Sequence, residues 1–127
     1  MIRLFIFIFF FAPHLTALST GAANYYEKAI ELKQKKQLNA AEIRLKQSIQ
    51  ADKNYLPARL LLGEILLDKG QIIAADKELS IALNLQADDE SVVLLLVETK
   101  LSQQKYQEAL NLLAHYPQLS ANKDYFR

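Results

Sequence analysis

The chain has 127 residues, 51% of them hydrophobic, with three glycines, three prolines and neither cysteine nor tryptophan. That length suits one domain with its own core, and so few turn residues argue against sandwiches and barrels, which need one every ~8–12 positions. The absence of cysteine excludes disulfide scaffolds and thiolate-ligated zinc, and a formal charge of +1 offers little attraction for nucleic acid.

The first segment distorts this composition. After Arg3, Leu4 to Ala12 runs without a polar residue, and five of the six phenylalanines lie between Phe5 and Phe11. One positive charge, a short apolar stretch and the small-x-small ending Ala17-Leu18-Ser19 predict a signal peptide over residues 1–19. Thr20-Gly21-Ala22 offers a second cleavage sequence just beyond it. The alternative is a retained anchor, but a spanning helix wants ~20 apolar residues, and Pro13, His14 and Thr16 interrupt this run. Export places the protein in the periplasm or cell envelope, with membrane contact only through an uncleaved segment.

Beyond the leader, one offset recurs. Ala41, Ala75 and Ala109 are spaced by 34, as are Leu45, Leu79 and Leu113, and Leu38, Ile72 and Tyr106. The same spacing joins Tyr25, Arg59 and Val93, and Ala29, Gly63 and Val97. That period is the length of a helix–turn–helix unit that stacks into a solenoid. It predicts an all-α domain over residues 20–117, with copies at about 22–55, 56–89 and 90–117.

The middle copy shows the pattern most clearly. Pro57 to Lys69 carries Leu60, Leu61, Leu62, Ile65, Leu66 and Leu67, which predicts a buried helix opened by proline in its first turn. Gly70 is the expected left-handed cap, and a second helix over Ile72–Leu85 presents Ile72, Ala75, Leu79, Ala82 and Leu83. Gly63 and Ala75 are the small residues expected to let the two axes approach closely. In the third copy Pro117 shortens the second helix to about Tyr106–Tyr116. A polar tail over 118–127, with no capping helix, follows.

These residues resemble a tetratricopeptide repeat (TPR). The middle copy supplies Arg59, Leu62-Gly63, Leu66, Ala75 and Ala82 of that signature, with Ala87 in place of its late proline. The first copy has Tyr25, Ala29, Leu32, Ala41 and Leu45, with Lys28 and Ser48 at other signature positions; the third keeps Leu96, Ala109 and Leu113. The segments Ala40–Gln50 and Tyr55–Leu67 are also similar to the opening repeats of PEP-CTERM system TPR lipoproteins. Those are long envelope proteins associated with exosortase sorting and exopolysaccharide production. This chain is shorter and lacks their lipid-accepting cysteine.

The sequence offers no catalytic constellation. Its two histidines are His14, in the leader, and His115, read as a helix-end residue. Gly21, Gly63 and Gly70 do not form a phosphate loop. Asp88-Asp89-Glu90 is read as acid favouring a helix N-terminus rather than holding a cation, and Lys33, Lys35 and Lys36 as a solvated helix end. A non-enzymatic module is expected, with no catalytic residue, cofactor, metal or small-molecule substrate.

The repeats differ in charge. Residues 22–55 hold seven Lys and Arg against four acids, and residues 56–89 three against six. Opposite signs on neighbouring units can fix their register.

The TPR resemblance implies a concave groove lined by the first helix of each copy, binding a protein or peptide. Carried over position by position, that face is Tyr26, Ile30 and Lys33, then Leu60, Glu64 and Leu67, then Leu94, Glu98 and Leu101. It would be apolar with an acidic line at Glu64 and Glu98, suited to an amphipathic or extended polypeptide with some positive charge. The carboxylate clamp of chaperone-binding TPRs is missing. Two readings compete: an envelope interaction module or scaffold, and a truncated piece of a longer multi-repeat scaffold.

Overall fold

The computed structural model describes residues 16–86 and 90–121. The predicted signal peptide lies largely outside the described residues, as do His14, Asp88, Asp89 and the last part of the predicted tail. The described residues form seven helices and no strand: α1 (Thr16–Gln34), α2 (Leu38–Ala51), α3 (Leu56–Asp68), α4 (Ile72–Leu85), α5 (Glu90–Ser102), α6 (Tyr106–His115) and α7 (Pro117–Ala121). They pack as consecutive pairs, α1 on α2, α3 on α4 and α5 on α6, with α2 against α3 and α4 against α5 joining the pairs. No described helix is long and apolar enough to cross a membrane.

The sequence period is written into the backbone as well as the side chains. Each pair turns through one left-handed residue: Lys36 (φ 57°), Gly70 (φ 71°) and Gln104 (φ 59°). Around each, the same two bonds close the first helix in a Schellman arrangement. Lys36, Gly70 and Gln104 donate their N–H to Lys33, Leu67 and Leu101, at 2.9, 2.8 and 2.9 Å. Gln37, Gln71 and Lys105 donate to Leu32, Leu66 and Lys100, at 2.9, 2.8 and 2.9 Å. The second helix then starts identically, with Ala41, Ala75 and Ala109 donating to the carbonyls of Gln37, Gln71 and Lys105.

Local chemistry accounts for the helix ends. Pro57 sits in the first turn of α3, where its missing N–H is no loss. α4 covers the predicted Ile72–Leu85. Pro117 produces a break rather than an end. Tyr116 leaves the helical region (φ −126°, ψ 67°), and the chain re-enters a helix at Pro117. The predicted polar tail is thereby corrected at its start, because Leu119 on α7 is only 1% exposed. It packs with Val93, Val97 and Ala109, bordered by Leu83, Leu112, Leu113 and Tyr116.

The three pairs are not packed equally well. In the middle pair, a Cβ placed on Gly63 would stand 2.6 Å from Leu79 Cδ2, so the fully buried Leu79 would have to shift to admit any larger residue. The residue that presses on Gly63 is therefore Leu79; Ala75 is buried in the neighbouring core with Ala58 and Leu62. The equivalent residues in the third pair are Val97 and Leu113. Valine leaves no such room, and Leu113 is only half-buried where Leu45 and Leu79 are fully covered. An open cavity of about 350 Å³ lies beside this pair, between α4, α5 and α6.

Acids on the second helices tie each pair to the next. Glu42 on α2 pairs with Lys69 at the end of α3, and with Lys46 on its own helix at 2.7 Å. Asp76, one period further along, accepts from Gln103 (2.7 Å), Lys100 (2.9 Å) and Ser80 (3.2 Å). Burial pushes the Asp76 carboxyl up, but those hydrogen bonds and the Lys100 charge outweigh it and hold the pKa below the usual value. Burial likewise pushes Lys100 down and is outweighed by Glu108 and Asp76, which hold its pKa above the ordinary lysine value. Arg59 spans α3 and α4 to Glu78, and also donates to the Lys53 carbonyl.

Candidate functional site

The nine groove positions fall in register on three helices. Tyr26, Leu60 and Leu94 are one period apart, as are Ile30, Glu64 and Glu98. Lys33, Leu67 and Leu101 form the third such column. None of the nine is fully buried. Glu98 is exposed and Leu101 is 47% exposed, while the others are half-covered. Their covered sides serve the core: Tyr26, Ile30 and Leu67 pack on the first apolar cluster, Leu60 on the second and Leu94 on the third.

A cavity of about 310 Å³ opens between α1 and α3, lined by Tyr26, Leu56, Pro57, Leu60, Leu61 and Glu64. Its walls are apolar, with the Glu64 carboxylate at the rim. Tyr26 is held from behind by Tyr55, the ring centroids 5.8 Å apart in an edge-to-face contact. Burial raises the Tyr55 phenol above its ordinary pKa, with Tyr26, Glu27 and Asp52 acting in the same direction. Three of the predicted groove residues thus meet at one cavity. Ile30, Lys33, Leu67, Leu94, Glu98 and Leu101 share their register but do not line it.

The charge pattern needs correction. Lys33 lies 2.9 Å from Glu64, bridging α1 to α3. The sequence puts Lys33 at one end of an acidic line, yet it neutralises half of that line, leaving Glu98 as its exposed acid. Both partners are more than one-third exposed, so the pair contributes at most about 1 kcal/mol and chiefly orients the two side chains.

Sequence reasoning missed Leu56, Pro57 and Leu61 as cavity walls. Pro57 signals a helix start, and nothing in that signal tells which neighbour its ring faces. The other residues singled out stay apart from this site. His115 is exposed near the end of α6, its Nδ1 2.7 Å from the Asn111 carbonyl oxygen. Lys35 is exposed, Lys36 makes the first left-handed turn, and Glu90 opens α5. No family model matches the chain, and no curated protein matches it.

Proposed function

We propose that the chain is a tetratricopeptide-type repeat domain that captures an extended or amphipathic polypeptide on the α1–α3–α5 face, as a non-catalytic scaffold of the bacterial cell envelope. The observation that carries this reading is the apolar cavity between Tyr26 and Leu60, rimmed by Glu64, which is paired in turn with Lys33. A cavity of about 310 Å³ takes one large apolar side chain of a bound peptide. The bordering ion pair can exchange partners with a charged neighbour of that anchor. The repeated left-handed turns and alanine columns support the TPR assignment. The leader-like first segment supports envelope location, in exopolysaccharide or protein-sorting assembly as the PEP-CTERM resemblance suggests.

Selection from a random peptide library, followed by fluorescence anisotropy, tests it. Enriched peptides should carry an apolar anchor, and Leu60→Asp should weaken their binding at least tenfold. Glu64→Lys and Glu98→Lys should weaken peptides with basic flanks. A library that yields no binder, or binders indifferent to Leu60→Asp, overturns the proposal.

A second reading, a segment of a longer repeat scaffold, is favoured by the last pair. Tyr106 and Leu110 are each 59% exposed, whereas Asp76, equivalent to Leu110, is covered by the pair that follows it. Further copies of the same period in the continuing reading frame would support this reading.

A further inference from the structure

Ile73 is 80% exposed, more than any other large apolar side chain among the described residues; Tyr106 and Leu110 come next at 59%. It sits in the first turn of α4, just past the corner that Gly70 makes. Its surroundings there are small: Gly70 and Ala74 are exposed, and a Cβ on Gly70 would meet nothing within 4 Å. The side chain therefore stands clear of the surface. The repeat does not demand an apolar residue here, because the equivalent positions hold Asn39 and Gln107.

One helical turn on, Lys77 is exposed and makes no ion pair among the described residues. Residues four apart share a helix face, so α4 presents an apolar knob with a free cation beside it. That is the chemistry the cavity between Tyr26 and Leu60 suits, with apolar walls and the Glu64 carboxylate at its rim. The other exposed hydrophobics lack the combination. Ile43 has Lys46 beside it, but Lys46 is held by Glu42 at 2.7 Å. Leu85, Tyr106 and Leu110 have no Lys or Arg three or four residues away, and Leu101 belongs to the groove itself.

A chain cannot fill its own cavity in this way. The cavity opens at the start of α3, whereas Ile73 lies beyond its end, and a helix of 13 residues separates them by about 20 Å. We propose that the occupant of the cavity is a second copy of this chain, which inserts Ile73 between Tyr26 and Leu60 and brings Lys77 to Glu64. The inference rests on the reading of the α1–α3–α5 face as a polypeptide groove, and names its partner. Knob and cavity are different surfaces, so the contact is heterologous. Each pair of copies keeps one free knob and one free cavity, and association continues past the dimer unless a ring closes.

Sedimentation velocity of the full chain, at stepped concentration and low salt, tests this. The unaltered chain should grow beyond a dimer as concentration rises, and added salt should weaken the growth. Ile73→Asp and Glu64→Lys should each weaken association by about tenfold or more, with unchanged far-UV circular dichroism. Adding Lys77→Glu to Glu64→Lys should recover most of that loss. A mixture of the Ile73→Asp and Glu64→Lys chains should form a one-to-one complex, because one keeps the cavity and the other the knob. An unaltered chain that stays monomeric, association indifferent to Ile73→Asp, or a mixture that does not pair overturns the proposal. If library peptides still bind such a monomer through Leu60, the groove stands and only the second copy is lost; if they too fail, both readings fall.

Discussion

Three residues in left-handed turns do the same work with unequal aptitude. Gly70 adopts φ 71° without a Cβ penalty, whereas Lys36 and Gln104 hold φ 57° and 59° against one. Lys36→Gly and Gln104→Gly should each stabilise the fold by about 0.5–1 kcal/mol, and Gly70→Ala should cost about 1 kcal/mol, read from urea unfolding. Gly63 is constrained from outside, by Leu79. Gly63→Ala should cost about 1–3 kcal/mol despite alanine's better helix propensity. Combined with Leu79→Ala it should cost less than the sum, because the smaller side chain relieves the clash. The sequence announced Gly63 and Gly70, since glycine advertises both close approach and positive φ. Lys36 and Gln104 were invisible, because long polar side chains give no sign of the backbone beneath them.

At the scale of helices, the junctions are held by acids at one repeating position, Glu42 and then Asp76. Glu42 is held below the usual carboxylate range by its hydrogen bond from Lys46, then that from Lys69, against burial; Asp76 is lowered too. A folded-state pKa below the unfolded one stabilises above the unfolded value, and the gain is lost as pH falls through the folded one. Stability should therefore drop below about pH 4, and Asp76→Asn should flatten that drop, measured by unfolding at stepped pH. At neutral pH, Asp76→Ala should cost about 1–3 kcal/mol, since it strips acceptors from partly buried Lys100 and Gln103. Helix bounds were legible: α4 begins and ends where the apolar spacing placed it. The Lys33–Glu64 bridge was not, because the two residues lie in different copies and occupy different register positions. Pro117 was legible as an interruption, but the burial of Leu119 depends on how the chain re-enters a helix beyond the break.

Across the whole molecule, packing loosens toward the C-terminal pair. Val97 stands where Ala29 and Gly63 stand earlier, Leu113 is half-exposed, and the cavity between α4, α5 and α6 lies alongside. Hydrogen exchange should accordingly be fastest in α5 and α6 and slowest in α3 and α4. Leu119→Ala should cost about 2–4 kcal/mol, with the added exchange confined to α5–α7. Uniform loss of protection would show instead that the three pairs unfold as one unit.

The matched turns also make the chain editable in units. A second copy of residues 56–89 inserted after Asp89 would carry its own hydrogen-bonded corner at Gly70. Asp76 of the first copy would face Lys69 of the second, an acid–base contact of the kind Glu42 already makes. Length can thus change by whole repeats that keep acid facing base, while an insertion of another size within a repeat would move one partner out of register.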